Sequence, residues 1–296
     1  MVLRLRKHKK THLGSPCLRL EAEKLKKTFM IRLDRKDNLD WIFENIDKLE
    51  LRKNWKGNYV SHLLPNRFKR YIKILHTFYV DSSILDKEIT WEQSKSSCNE
   101  ADLEKIKWID LAKQYNIPFT KTINPCSFYS NSSAPRYLVF PEEGSLEKFE
   151  MLELIEILSD FCLDVNCYFY YDQLVFGDFD NEHLYKGEIS KLIDLYKSLP
   201  WETSPSYIWS DKKDWCLNTD YDLTFTVIGC NDALAEKLLS SEVLETIEVS
   251  TNSNVKRTTK VQISVKMDTN TTPLDATDLS ELKLKSSVKI YIDTDA

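Results

Sequence analysis

Asp220 and Asp222 stand two residues apart in the stretch W-S-D-K-K-D-W-C-L-N-T-D-Y-D-L-T-F-T-V-I-G, which runs from Trp209 to Gly229. In an extended segment, side chains at that spacing leave the same face. Two carboxylates on one face could hold a divalent cation or divide the work of a general acid and a general base. The competing reading makes them turn residues that accept backbone N–H groups where a strand begins. His76 closes the run F-K-R-Y-I-K-I-L-H and could act as the base; a satisfied polar cap at a strand end is its other use. His76, Asp220 and Asp222 are therefore the candidate catalytic residues.

Earlier in the same block, Trp209 and Trp215 bracket Asp211 and Asp214. Apolar walls with a few polar groups are the usual make-up of a ligand pocket. This makes Trp209, Asp211 and Trp215 candidate ligand-binding residues, with core packing as the alternative. Arg67 and Arg70 could hold an anion or line a solvated edge. Cys216 is a poor nucleophile on paper, because Asp214 and Asp220 would raise its thiol pKa.

Other chemistries lack their residues. The chain contains no G-x-S-x-G, no P-loop and no H-E-x-x-H, and six glycines leave no glycine-rich phosphate cradle. The seven cysteines are an odd number and read as free thiols in a reducing compartment. Cys162 and Cys167 are not a C-x-x-C pair, and neither His62 nor His76 lies near a cysteine pair, so no metal and no cofactor is expected. No apolar run approaches the roughly eighteen residues of a membrane span. The opening M-V-L-R-L-R-K-H-K-K lacks the apolar core of a secretory signal. A cytoplasmic location is the expectation.

Charge is unevenly distributed. The whole chain of 296 residues carries a net −5, yet residues 1–29 hold nine Lys or Arg against two Glu. The rest is correspondingly acidic, so nucleic acid would have to be met through that arm, around Arg4, Arg6, Lys7, Lys9 and Lys10. Apolar residues at 42% and charged ones at 29% are ordinary for a folded domain.

Periodicity supplies the elements meant to position these groups. Asn38 caps a helix over Leu39–Leu49, Asp102 one over Leu103–Tyr115, and Ser145 the clearest one, Leu146–Phe161. Further helices are expected over Glu188–Leu199 and, capped by Asn231, over Asp232–Ser240. Phe68–Tyr79 favours a strand over the alternative of a helix, and strands are expected at Tyr137–Phe140, Cys167–Tyr171, Gln173–Phe176, Trp215–Asn218, Leu223–Ile228 and Leu244–Val249. Val261, Ile263 and Val265 alternate, as do Val288, Ile290 and Ile292, and the two runs could pair. The mixture predicts an α+β (mixed α/β) fold: one globular domain with a mixed or antiparallel sheet packed by several helices. The expected organisation is a basic arm over residues 1–29, the globular domain over 30–250 and a β-rich polar tail over 251–296.

Two resemblances follow from particular residues. The order Leu64-Pro65-Asn66-Arg67-Phe68, Trp108 with Leu111-Ala112, Gly144, Cys167, then Trp209, Asp211, Trp215-Cys216, Thr219-Asp220, Asp222-Leu223, Thr226 and Gly229 resembles a family of uncharacterised bacterial proteins. It covers roughly residues 60–249 and implies no activity. The chain departs from that pattern at Lys213, where an arginine is expected, and at Cys230, where a second glycine is. Leu64-Pro65 with Phe68, Tyr71 and Ile72 is similar to the L-P-x-x-Y entry segment of SMI1/KNR4-like immunity proteins. That resemblance implies an α+β binding protein that neutralises a toxin, and an acidic body would suit a basic one. The function expected is thus a non-enzymatic binding protein with a protein partner, with the immunity type as one form of it. The alternative is a hydrolase or metal-assisted phosphoesterase built on Asp220, Asp222 and His76.

Overall fold

The structure, a computed structural model, describes residues 30–33, 38–48, 59–94, 97–129, 133–162, 166–172, 183–198 and 203–254, together with the backbones of two later strands. The arm over 1–29 and the strand expected at Gln173–Phe176 lie outside the described residues. The chain divides into a unit over residues 1–256 and a second over 257–296.

The first unit is organised by an eight-stranded sheet. Its strands are β1 (Ile31–Leu33), β2 (Arg70–Leu75), β6 (Cys167–Tyr171), β7 (His183–Gly187), β8 (Tyr207–Ser210), β9 (Cys216–Asn218), β10 (Phe225–Cys230) and β11 (Glu245–Val249). They lie in the order β1-β7-β6-β8-β9-β10-β2-β11, and every pair in the sheet is antiparallel. A second sheet sets β3 (Phe78–Asp81) between β4 (Leu103–Ile106) and β5 (Leu138–Val139). Five helices complete the described unit: α1 (Asp40–Phe43), α2 (Trp108–Gln114), α3 (Lys148–Ser159), α4 (Leu192–Ser198) and α5 (Asp232–Leu239). The fold is α+β, as expected, and the sheet is antiparallel.

Both faces of the large sheet are covered, which explains its near-continuous apolar strands. On one face Ile72, Ile74, Phe169, Tyr171, Ile208, Leu217 and Ile228 meet Met151 and Leu154 of α3, Leu192 and Leu195 of α4, and Leu234 and Leu238 of α5. On the other, Tyr71, Leu75, Tyr170, Tyr207, Trp209, Phe225 and Val227 meet Leu39 and Ile42 near α1, Trp108 and Leu111 of α2, and Phe78 and Leu138 of the small sheet. The period-two alternation of each strand thus feeds two separate cores.

Some elements depart from the expectation. Leu103–Ile106 is a strand rather than the first turn of a helix, because it pairs with β3 from Phe78↔Ile106 to Asp81↔Leu103. The helix begins only at Trp108, and its first N–H groups, at Trp108 and Ile109, are accepted by the Glu245 carboxylate at 2.6 and 2.8 Å. Ser145 is not a helix cap. Glu147 and Glu150 form the capping box of α3, while the Ser145 hydroxyl is engaged with Ser204. Asn231 does cap α5, its side chain accepting from the Leu234 N–H at 2.9 Å. Residues 251–254 belong with the first unit: Ser61 N–H donates to Thr251 O and Val60 N–H to Ser253 O.

In the second unit, β12 (Val261–Ile263) and β13 (Ile290–Ile292) pair antiparallel with Gln262 opposite Tyr291.

Candidate functional site

β8 and β9 form a tight hairpin whose turn carries residues 211–215. Lys213 N–H donates to Ser210 O at 2.9 Å, and the Ser210 hydroxyl is held by Asp214. Lys213 sits at φ 56°, the left-handed region that favours glycine. Across the hairpin Trp209 pairs with Cys216, so both enter the same core and Trp215 falls on the opposite face. Trp209 belongs to the core that holds Tyr207 and Phe225, whereas Trp215 belongs to that of Ile208 and Leu217 under the helices. The two tryptophans therefore wall no common pocket. The indole N–H of Trp215 is buried with no hydrogen-bond partner among the described residues.

Trp209 is instead the centre of an aromatic ladder. Its ring stacks on Tyr168 of β6 at 5.0 Å and 2° between planes, because the register sets Tyr168 opposite Trp209. Its other side meets the edge of Trp41 of α1 at 6.2 Å. Trp41 and Tyr168 are half-buried. Cations bind each end. Lys213 Nζ lies 5.3 Å and Arg67 Cζ 5.8 Å from the Trp41 ring centre, and Lys186 Nζ lies 4.7 Å from that of Tyr168.

Asp211 closes the Tyr168 end. Its carboxylate accepts from Lys186 Nζ at 3.0 Å and from the Tyr168 hydroxyl at 2.9 Å. Lys186 foremost, then Tyr168, with Lys213 adding its field, hold the Asp211 carboxyl below the usual carboxylate range. Lys186 is thus neutralised locally. Arg67 and Lys213 form no ion pair with a described carboxylate, so Trp41 carries two cations at the surface. The Trp41 indole N–H has no hydrogen-bond partner among the described residues, and a donor left so costs about 1–3 kcal/mol.

Arg70, the other arginine of the pair read as an anion holder, is committed elsewhere. It makes a two-pronged contact with Glu248 at 2.7 and 2.6 Å and also pairs with Glu236.

His76 is buried at 1% exposure. Its Nδ1 lies 2.8 Å from Glu142 O, which can only accept, so Nδ1 carries the proton. Nε2 then accepts from the Thr226 hydroxyl at 3.0 Å, and Thr226 Oγ1 accepts from the Thr219 hydroxyl at 2.8 Å. Burial foremost, with the Lys73 charge adding, lowers the His76 pKa to about 4, although the bond to Glu142 works the other way. The His76 carbonyl takes the indole N–H of Trp108 at 2.8 Å. This histidine ties β2 to β10, to the loop at residue 142 and to α2 as a neutral ring.

Asp220 and Asp222 occupy the turn between β9 and β10. Asp220 Oδ1 accepts from Asp222 N–H at 2.9 Å, and Asp220 O accepts from Leu223 N–H at 3.1 Å. Gly144, at φ 73°, lies against this turn and donates its N–H to Leu223 O; a Cβ there would come within 2.6 Å of Tyr221 Cα. The His76 chain ends at Thr219, the residue before Asp220; Asp220 is half-buried and Asp222 exposed. No group of three metal-ligating side chains occurs among the described residues. Cys216 is fully buried, and burial alone raises its thiol pKa well above the ordinary value.

Of the residues singled out by sequence, the structure joins Trp209 and Asp211 through Tyr168 and leaves Trp215 on the other face. Sequence reasoning passed over Trp41, Tyr168 and Lys186 as site residues. Nothing local marks them, since a strand register and a helix docking bring them together.

No family model matches the chain, and neither a curated protein nor a solved structure is significantly similar to it. No described helix is long and apolar enough to cross a membrane.

Proposed function

We propose that the chain is a binding protein that takes an acidic segment of a protein partner on the Trp41–Trp209–Tyr168 ladder. The observation that carries this reading is the convergence of Arg67 and Lys213 on one half-buried indole. Tryptophan, tyrosine and arginine are the side chains that dominate interface energetics. A cation over an aromatic face contributes about 0.5–2 kcal/mol and keeps the guanidinium and ammonium oriented before a partner arrives. A carboxylate arriving between them would also meet a surface whose charge opposes that of the acidic body, which favours fast and selective encounter.

Two other readings each have one observation behind them. An immunity-type inhibitor of a basic partner would use the groove between α3 and α5, which is edged by Glu153, Glu156, Asp160 and Glu242. A hydrolase on Asp220, Asp222 and His76 would draw on the hydroxyl chain that ends beside Asp220. It would use Nε2 of His76 as the base while Nδ1–H stays on Glu142 O.

The test is capture from an extract of the source organism with three proteins: the unaltered chain, the pair Arg67→Glu with Lys213→Glu, and the pair Glu153→Lys with Glu156→Lys. A partner lost only with the first pair, and released by salt, supports the ladder. A partner lost only with the second pair transfers the function to the groove, and turnover of a small ester that depends on Asp220 would establish the hydrolase.

A further inference from the structure

Cys162 and Cys167 are both free thiols. Cys162 follows the end of α3, its N–H donating to Ser159 O, and Cys167 is the first residue of β6. Their sulfurs lie 3.5 Å apart, with the Cys167 thiol directed at Cys162. No other pair of cysteine sulfurs is in contact among the described residues. Exposure separates their roles: Cys162 keeps 8% of its surface and Cys167 none. Trp215 shares the core in which the pair is buried.

We propose that Cys162 and Cys167 form a modification site, converted by hydrogen peroxide into a reversible intramolecular disulfide. The inference is independent of the binding surface. The Cys162 thiolate attacks one peroxide oxygen and the O–O bond breaks. The departing hydroxide takes a proton to leave as water, and Cys162 becomes a sulfenic acid. The Cys167 sulfur then attacks the Cys162 sulfur. The S–S bond forms as the S–O bond breaks, and the thiol proton of Cys167 leaves with the hydroxide as a second water. Two thiols lose two hydrogens and one peroxide becomes two waters.

The geometry assigns the order of events. The attacking sulfur is the one with a remnant of surface, and the resolving sulfur already points at it. A disulfide bond is about 2.05 Å long, so the sulfurs must close by about 1.5 Å, within the reach of side-chain rotation. The Cys167 thiol stabilises the thiolate and draws the Cys162 pKa down, against the opposing effect of burial. The proton donated in that contact is held more tightly, and Cys167 is raised accordingly. Exposed Cys126 and half-buried Cys98 have no second cysteine sulfur in contact among the described residues, so an oxidation there has no resolving partner among them.

The site bears on the ladder through the backbone. Cys167 is followed directly by Tyr168, whose ring stacks on Trp209. A covalent tie from residue 162 fixes the entry of β6.

The experiment uses the full reduced chain and dilute hydrogen peroxide, followed by unfolding in the presence of an alkylating agent. Cys162 and Cys167 share one tryptic peptide, residues 149–186. That peptide is expected to lose two hydrogens, to escape alkylation and to regain both thiols with dithiothreitol. The titratable thiols fall by two from the seven of the reduced chain. Cys167→Ser is expected to leave a sulfenic acid at Cys162 that dimedone traps, and Cys162→Ser to lose no thiols as a pair. Because Cys167 is buried and its replacement could disturb β6, the peptide from the unaltered chain decides by itself. Full alkylation of both cysteines while Cys98 or Cys126 is oxidised would overturn the proposal. So would a peptide that gains oxygen instead of losing hydrogen.

Discussion

His76 and Glu150 are two buried groups whose protons move in opposite senses on folding. The folded His76, with its pKa near 4, refuses a proton that the unfolded chain accepts below its ordinary value of 6.5. Stability therefore climbs as pH rises from about 4 to 6.5, by at most about 3 kcal/mol. Glu150 is buried and accepts from the Thr77 hydroxyl at 2.7 Å and the Glu147 N–H at 2.8 Å. Burial foremost raises its pKa from 4.5 to about 7. The folded chain holds this proton where the unfolded chain has lost it, so the contribution of Glu150 is full below pH 4.5 and is lost as pH rises through 7. Between about pH 4.5 and 6.5 the two slopes oppose. Glu150→Gln should uncover the rising slope and stabilise the chain near pH 7.5 by roughly 1–3 kcal/mol. His76→Gln should uncover the falling one at a general cost of about 1–3 kcal/mol for the bonds lost. Urea midpoints from pH 4 to 8 read both effects. Parallel profiles for all three proteins would show that neither group titrates on folding as argued. Lys213 supplies a third prediction at this scale. Its left-handed backbone costs about 1 kcal/mol in a residue with a side chain, so Lys213→Gly should leave the midpoint equal or higher while weakening partner capture. A clear loss of stability would make Lys213 part of the scaffold rather than of the binding surface.

Among the elements, the β8–β9 hairpin and the β9–β10 turn divide what the sequence presents as one block. Alternation within Trp215–Asn218 and Leu223–Ile228 reads correctly as strand. Which face each tryptophan takes depends on the register Trp209↔Cys216, and a one-residue difference there exchanges the two cores. Asp220 and Asp222 are legible as a turn or as a paired carboxylate, and the N–H groups that Asp220 accepts through its carboxylate and its carbonyl follow the first pattern. Leu103–Ile106 misleads for a related reason. Its residues suit a helix capped by Asp102, but the free edge of β3 claims them, and Glu245, from the far edge of the large sheet, caps α2 in place of a local residue. Gly144→Ala tests how the turn is held. The left-handed backbone and the 2.6 Å approach to Tyr221 leave no room for a methyl group, so a loss of about 2–4 kcal/mol is expected. Amide exchange should quicken first around Leu223. An unchanged midpoint would mean that the loop at Gly144 does not clamp the turn.

For the molecule as a whole, composition and periodicity make the α+β class, the sheet and most of its strands legible. They leave hidden the assembly of α1, β6, β7 and β8 into one surface, because Trp41, Arg67, Tyr168, Lys186 and Lys213 meet only after long-range pairing. The acidic body conceals a local reversal of charge at Trp41, and the account rests on that reversal. The most direct measurement is photo-crosslinking in the source organism, with the reactive side chain placed at Lys213 in one protein and at Glu156 in another. The account predicts a specific adduct from position 213, with the linked peptide of the partner rich in Asp and Glu, and none from position 156. An adduct from position 156 alone, or a basic peptide at either position, would contradict it.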